Sequence, residues 1–313
     1  MSSLSSIEQT AIALGQFRKT RVRETTVDFD TYMKARDEDV GRIKDAPSFR
    51  DELVDEFHGS AESKGAKLPW ERTHEHWRIR RGELTIWTGF NGHCKSMVTG
   101  YVALGLMRQG EKVCVCSFEM KPRKTLRRLA SQSIGVQTPT TTYIDKFLDS
   151  LVDRLWIYDQ QGETTPDRVL GVVHYCAEQL GITHVFIDSM MKVVSNEDDY
   201  NGQKRFISKL CAAAKDLNIH IHLVHHSRKR DDERTRPGKQ DAKGTGAIVD
   251  QTDNFVTVFK TPKKEGDDDK PDFFCFLDKQ RHGEWEGAVP LWLVQGSLQF
   301  HDHKTTSSIR FIP

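Results

Sequence analysis

No stretch of the sequence approaches the roughly 18 consecutive apolar residues that cross a membrane, and the opening MSSLSSIEQ lacks the apolar core of a secretion signal. These absences predict a cytoplasmic chain with no membrane partner. Charge of one sign is missing too, since 46 Lys and Arg against 45 Asp and Glu leave a net +1. A nucleic acid would therefore be held by local basic loops and not by a general basic field. The six cysteines (Cys94, Cys114, Cys116, Cys176, Cys211, Cys275) form no CxxC pair and sit mostly in apolar runs, which fits reduced, buried thiols. His220, His222, His225 and His226 have no partner cysteines, and IHIHLVHH alternates like a strand, so the cluster reads as structure and not as a zinc site. No internal repeat is found.

What is present suits one large α/β core of roughly 200 to 250 residues with a small appendage. Residues 1–67 read as a helical leader and linker, and residues 68–313 as the main domain. In the leader, Ser48 to Asp51 looks like a capping box that opens a helix near 48–58. Phe49, Leu53, Val54 and Phe57 then share one face, and Gly59 ends it. That face packs either on its own domain or on a neighbouring subunit. GSAESKGAK, which follows, reads as a linker.

From about residue 80, short β-branched and aromatic runs alternate with helical stretches. The strand-like runs are LTIWT (84–88), VCVCS (113–117), LWIY (155–158), HVFID (184–188) and IHIHLV (219–224). Helical stretches are expected at 95–109, 122–134, 166–180 and 204–217. This alternation predicts a mainly parallel central sheet with helices on both faces. FVTVF (255–259), FFCFLD (273–278) and LWLV (291–294) should extend it, with antiparallel pairing.

LTIWT leads into Gly89, Phe90, Asn91, Gly92, His93, Cys94, Lys95 and Ser96, and a helical run follows at once. This is the strand-loop-helix context of a Walker A phosphate loop. Its backbone amides and the helix N-terminus would enclose phosphate oxygens, with Lys95 on the β- and γ-phosphates and the Ser96 hydroxyl on Mg²⁺. Cys94 stands where GxxxxGK[ST] has its second glycine, which brings a Cβ close to the phosphates. Asp188 ends the apolar strand HVFID, as a metal-orienting carboxylate would. Glu119, in SFEM at 117–120, follows a strand read as the neighbour of the phosphate-loop strand. It is either a group that polarises water or a solvated loop glutamate.

In this order the motifs resemble the RecA-like ring helicases of replication, the group that includes Twinkle, DnaB and the helicase halves of phage primase-helicases. The resemblance covers about residues 68–300 and implies a RecA-like P-loop NTPase fold, ATP or another NTP with Mg²⁺ as cofactors, and ATP-dependent unwinding of DNA. By that resemblance SFEM supplies Glu119 as general base. LVHHSRK (223–229) supplies His226 as γ-phosphate sensor, with His225 as the alternative. Gly244 to Asn254 resembles the segment GSGAIxQxAD, and Asp278 to Gly283 resembles KQRNG. Arg281 is then an arginine finger reaching the ATP site of an adjacent subunit, and Lys279 is its companion.

Residues 227–243, between His226 and Gly244, form a long polar stretch without apolar anchors, and such stretches are usually functional or disordered. Arg228, Lys229, Lys239 and Lys243, with Gly244, are the candidates for contact with single-stranded DNA. The resemblance also implies a homo-oligomer, most simply a hexameric ring, working beside a separate primase or polymerase. No primase domain is expected before residue 68. A phage protein acting in its host's cytoplasm and a protein of a cellular organelle both fit the same motifs. Two further readings stay open: a RecA-, RadA- or KaiC-like DNA-binding ATPase, and a regulatory or loader subunit with weak hydrolysis.

Overall fold

The computed structural model describes residues 45–59, 65–194, 199–227, 235–237 and 246–311. Its centre is a nine-stranded sheet. The strands are β3 (Leu84–Thr88), β4 (Val113–Ser117), β5 (Leu155–Ile157), β6 (His184–Asp188), β7 (His220–Val224), β8 (Asn254–Lys260), β9 (Phe273–Gln280), β10 (Gly287–Val294) and β11 (Gln299–His301). Across the sheet the order is β11-β10-β9-β8-β3-β7-β6-β4-β5. A separate small ribbon pairs β1 (Ala66–Lys67) with β2 (Arg78–Ile79), so the last two residues of the expected linker join the body of the protein.

The six strands from β8 to β5 run parallel, and β9, β10 and β11 add antiparallel. Two sequence-based expectations are corrected here. β8, expected to pair antiparallel, joins β3 in parallel, and the reversal comes one strand later. β4 is not the neighbour of β3, because β7 and β6 lie between them. The physical reason is that crossover helices let a chain lay later strands inside earlier ones, which no local pattern encodes.

Period-2 alternation divides the buried strands between two cores. Leu84, Ile86, Val185, Ile187, Ile221 and Leu223 face one core with α5 (Pro166–Leu180), α6 (Tyr200–Asp216) and α7 (Gly246–Gln251). Trp87, Phe186 and Val224 face the other, with α2 (Lys95–Arg108), α3 (Pro122–Ile134) and α4 (Thr141–Ser150). The alternation places Asp188 on the α2 face along with Phe186.

Helix ends follow local chemistry. The side chain of Thr165 accepts from the Arg168 amide before α5, Asp199 accepts from Gly202 within the first turn of α6, and Gly135 and Gly181 close α3 and α5 in left-handed conformation. The Asp199 cap moves the start of α6 four residues ahead of the expected 204. α4 was not anticipated, because its apolar face is short and mostly exposed.

His184, His220 and His222 pack as a column of imidazoles on the α2 face, with the His222 ring stacked 3.9 Å from Phe186. Burial pushes all three well toward the neutral form, His220 to about 3. Among the described residues no group of His, Cys, Asp and Glu has the geometry of a metal site, and no helix is long and apolar enough to cross a membrane.

The leader helix α1 (Arg50–His58) follows a 3-10 turn over Ala46–Phe49. Ser48 lies inside that turn and donates its hydroxyl to Asp45, so the expected capping box does not form. Phe49, Leu53, Val54 and Phe57 are all exposed, Phe57 by 73%.

Candidate functional site

β3 ends at Thr88, and Gly89 to Cys94 turn the chain into α2. Gly89 has φ 145°, and a Cβ there would lie 2.3 Å from the Val258 carbonyl oxygen, so only glycine fits against β8. Cys94 takes the left-handed φ of 59° at the N-cap of α2, and no side chain caps that end. The Met97 amide turns back to the Cys94 carbonyl, and the amides of Lys95 and Ser96 ahead of it face the place where an anion would sit.

Beside them lies a cavity of about 680 Å³, lined by Asn91, Gly92, Cys94, Lys95, Ser96, Glu119 and His226 among others. Gly89 and His93 stand behind this wall. His93 accepts the Lys260 amide on Nδ1 at 3.1 Å, and its ring lies edge-on to Phe90 and Phe259. Lys95 Nζ donates to the carbonyl oxygens of Gly89 and Phe90, both at 2.9 Å, and burial lowers its pKa to about 8. Burial likewise raises the Cys94 thiol.

Asp188, at the end of β6, is buried and hydrogen-bonded with Ser96, and desolvation pushes its carboxyl upward. Glu119 arrives from β4. Its Oε1 accepts the Ser189 hydroxyl at 2.7 Å and stands 3.6 Å from His226 Nε2. The hydrogen bond with His226 is the chief reason its carboxyl is held down at about 2. His226 lines the cavity, whereas His225 is buried and donates its amide to the Trp87 carbonyl.

The strand order thus separates β4 from β3, yet the C-terminal ends of β3, β4, β6 and β7 converge on one cavity, as parallel sheets permit. The oxygen pair of Ser96 and Asp188 is the hard donor set that suits Mg²⁺. The open amides with Lys95 suit a polyphosphate.

Arg128, Glu163 and Lys192 also line the cavity, and sequence reasoning missed them. Arg128 belongs to α3, where nothing in PRKTLRRLASQSI distinguishes it from its basic neighbours. Ser189, the hydroxyl that orients Glu119, was signalled only by its place after Asp188.

Lys279 and Arg281 lie elsewhere. Gln280 is in register with Asn254, and Asn254 with Thr85, so this end of β9 sits at the start of β3. Thr85 to Gly89 spans roughly 13 Å of strand. Both cations close the C-terminus of α7. Lys279 Nζ donates to Val249, Asp250 and Thr252 at 2.7 to 2.9 Å, and Arg281 Nη2 donates to Asp250 and Gln251 at 3.1 Å. Arg281 Nε also stands 3.3 Å from Asp253. Burial lowers the Lys279 pKa. Arg228, Lys229, Lys239, Lys243 and Gly244 lie outside the described residues.

The family described as "AAA domain" matches residues 64–232, more than half of the chain and the whole of the cavity wall named above. The chain belongs to that family. The AAA domain here has the RecA-like fold, a mainly parallel sheet flanked by helices. A solved structure described as an ATPase domain superposes with a TM-score of 0.70 at 14% identity, covering 83% of this chain and 100% of that one. A DnaB-like replicative helicase, whose structure is described with its interactions with primase, superposes with a TM-score of 0.71 at 13% identity, covering 94% of this chain and 75% of the other. At such identities the likeness establishes the fold. Membership of the AAA family implies that the domain binds nucleotide.

Proposed function

We propose that this chain is the motor of a ring-forming, ATP-dependent DNA helicase that moves along single-stranded DNA during replication. The observation that carries this reading is the division of the site. Lys95, Ser96, Glu119 and His226 line one cavity, with Asp188 bonded to Ser96 beside it, while Arg281 lies at the opposite end of the sheet's strands. A cationic finger in that position serves a phosphate only on another subunit. A ring of identical copies supplies such an interface repeatedly.

In this reading Lys95 exchanges the carbonyls of Gly89 and Phe90 for phosphate oxygens, and the amides at the start of α2 hold the remaining charge. Ser96 and Asp188 would hold Mg²⁺, directly or through its water, and the ion when bound neutralises charge on the phosphates. Glu119, ionised and oriented by Ser189, accepts the proton of the attacking water. His226, next to Glu119 in space and to the polar stretch 227–243 in sequence, reports the state of the γ-phosphate. Arg281 and Lys279 of the adjacent copy stabilise the charge that grows in the transition state. Such a finger contributes about 10³ to 10⁵ in rate in related reactions.

The exposed face of Phe49, Leu53, Val54 and Phe57 docks on a neighbouring subunit. Arg228, Lys229, Lys239, Lys243 and Gly244 take the DNA backbone, and a separate primase or polymerase works alongside. Cys94 favours a second reading, a loader or switch with weak hydrolysis, because a β-carbon at that position crowds the phosphates.

One assay separates the two. ATPase activity stimulated by single strands, together with displacement of a labelled strand that Lys95→Ala abolishes, is the expected result. Single-strand-dependent binding without displacement points to the switch.

A further inference from the structure

Arg281 opens the turn between β9 and β10, where a long side chain would ordinarily swing freely. Here it is held. Its amide donates to the Asp253 carbonyl at 2.9 Å, and its Nε stands 3.3 Å from Asp253 Oδ1. Nη2 donates to the carbonyls of Asp250 and Gln251 at the end of α7, both at 3.1 Å. A guanidinium is planar, so fixing two of its nitrogens also fixes the direction of the third. That third nitrogen, Nη1, makes no hydrogen bond among the described residues, and the side chain is half-exposed.

Asp253 is a rigid base for this hold. Its side chain is only 1% exposed, and its Oδ2 accepts the Leu84 amide at 3.0 Å. Next to it, Thr252 donates its hydroxyl to the Leu84 carbonyl at 2.9 Å. The link between α7 and β8 is thus bolted to the first residue of β3, the strand that leads into the phosphate loop. Asp253 Oδ1 accepts no hydrogen bond among the described residues, and its ion pair there is with Arg281. A buried carboxylate without compensation is costly, so the pairing with Arg281 is strongly favoured.

We propose that Asp253 is a positioning residue for Arg281. Together with the end of α7 it grips the guanidinium by Nε and Nη2, so that Nη1 is presented to the phosphate of an adjacent copy. This rests on the reading of Arg281 as a finger shared between subunits.

The physical ground is preorganisation. An arginine loose in a turn must lose its torsional freedom when it meets a phosphate, and one already held has less to lose. Donors fixed in advance also stabilise charge in the transition state without rearranging at that moment. Lys279 braces the same platform, since its Nζ donates to the carbonyls of Val249, Asp250 and Thr252.

The test uses the full chain with Mg²⁺-ATP, alone and in mixtures of variants after subunit exchange. Asp253→Asn keeps an acceptor for the Leu84 amide and removes the charge that faces Nε. Its kcat is expected to fall roughly ten- to thirtyfold, the size of the side-chain freedom returned to Arg281. The ATP concentration for half-maximal rate stays within about twofold of the parent, because the phosphate cradle of the same chain is untouched. In an Arg281→Ala background the substitution lowers kcat no further. Mixed with Lys95→Ala, whose finger side is intact, Asp253→Asn regains activity. Mixed with Arg281→Ala it does not, because neither partner then brings a working finger.

Recovery in the mixture with Arg281→Ala would put Asp253 on the cradle side and overturn the proposal. A higher kcat in Asp253→Asn overturns it too, since Asp253 would then restrain Arg281 from reaching the neighbour, and an unchanged kcat has the same force. If Asp253→Asn does not fold, Arg281→Ala with added methylguanidinium decides. Millimolar methylguanidinium should fill the place between Asp253 and α7 and restore activity, and methylammonium should not. Equal effects of the two ions, or none from either, refute the proposal. Failure of Lys95→Ala and Arg281→Ala to complement each other defeats the shared-site reading itself, and the proposal falls with it.

Discussion

Glu119 and His226 stand 3.6 Å apart, carboxylate to imidazole, although two other strands separate β4 from the phosphate-loop strand. The pairing holds Glu119 ionised, with its pKa at about 2 against an ordinary 4.5. A carboxyl lowered on folding adds stability that is complete above pH 4.5 and is lost as pH falls toward 2. At ordinary assay pH the Glu119 carboxyl is therefore charged.

Glu119→Gln should lower kcat by about 10² to 10⁴ and leave nucleotide affinity near the parent value, as read by steady-state ATPase and by titration with a fluorescent nucleotide. A pH profile of the parent should show no inflection that moves when Glu119 becomes Asp. An inflection near neutrality that follows that substitution would contradict the assignment.

Cys94 occupies the left-handed region at φ 59°, where a side chain costs about 1 to 2 kcal/mol that glycine avoids. Part of that gain returns to the unfolded chain as glycine's extra freedom. Cys94→Gly should bind ATP several-fold more tightly and hydrolyse it faster, because the Cβ at the phosphate wall is gone. Cys94→Ala keeps both the Cβ and the strain, and should resemble the parent. Equal behaviour of the glycine and alanine variants, by calorimetry and ATPase assay, would show that the position does not limit turnover.

Arg281 is bound to α7 and Asp253 at the end of the strands away from the cavity of its own chain. Arg281→Ala alone, like Lys95→Ala alone, should be inactive as an ATPase. A mixture of the two should recover activity, since some interfaces then join an intact cradle to an intact arginine. No recovery after subunit exchange, confirmed by native mass spectrometry, would rule out a site shared between copies. Lys279→Ala should also loosen α7, at about 0.3 to 1 kcal/mol for a cation lost from a helix C-terminus. Hydrogen exchange over 246–253 measures that.

Much of this was legible in short windows of sequence. LTIWT, VCVCS and HVFID match β3, β4 and β6 residue for residue, because a strand buried on both faces writes itself as an apolar run. The loop before Lys95 announced itself through glycine spacing between a strand and a helix. Other features had no such mark. Arg128 reaches the cavity from a helix with several similar arginines, and Ser48 looked like a cap until Asp45 took its hydroxyl.

Local sequence was enough to dictate the elements, the phosphate loop and the set of candidate chemical groups, since turns, caps and periodicity act over a few residues. Packing across the whole chain was needed to set the strand order, the meeting of Glu119 with His226, the clamp of Lys279 and Arg281 on α7, and the hold of Asp253 on Arg281. Those depend on which crossover packs where and on which buried charge finds a partner. Such contacts join residues far apart in the chain and leave no pattern in either segment alone.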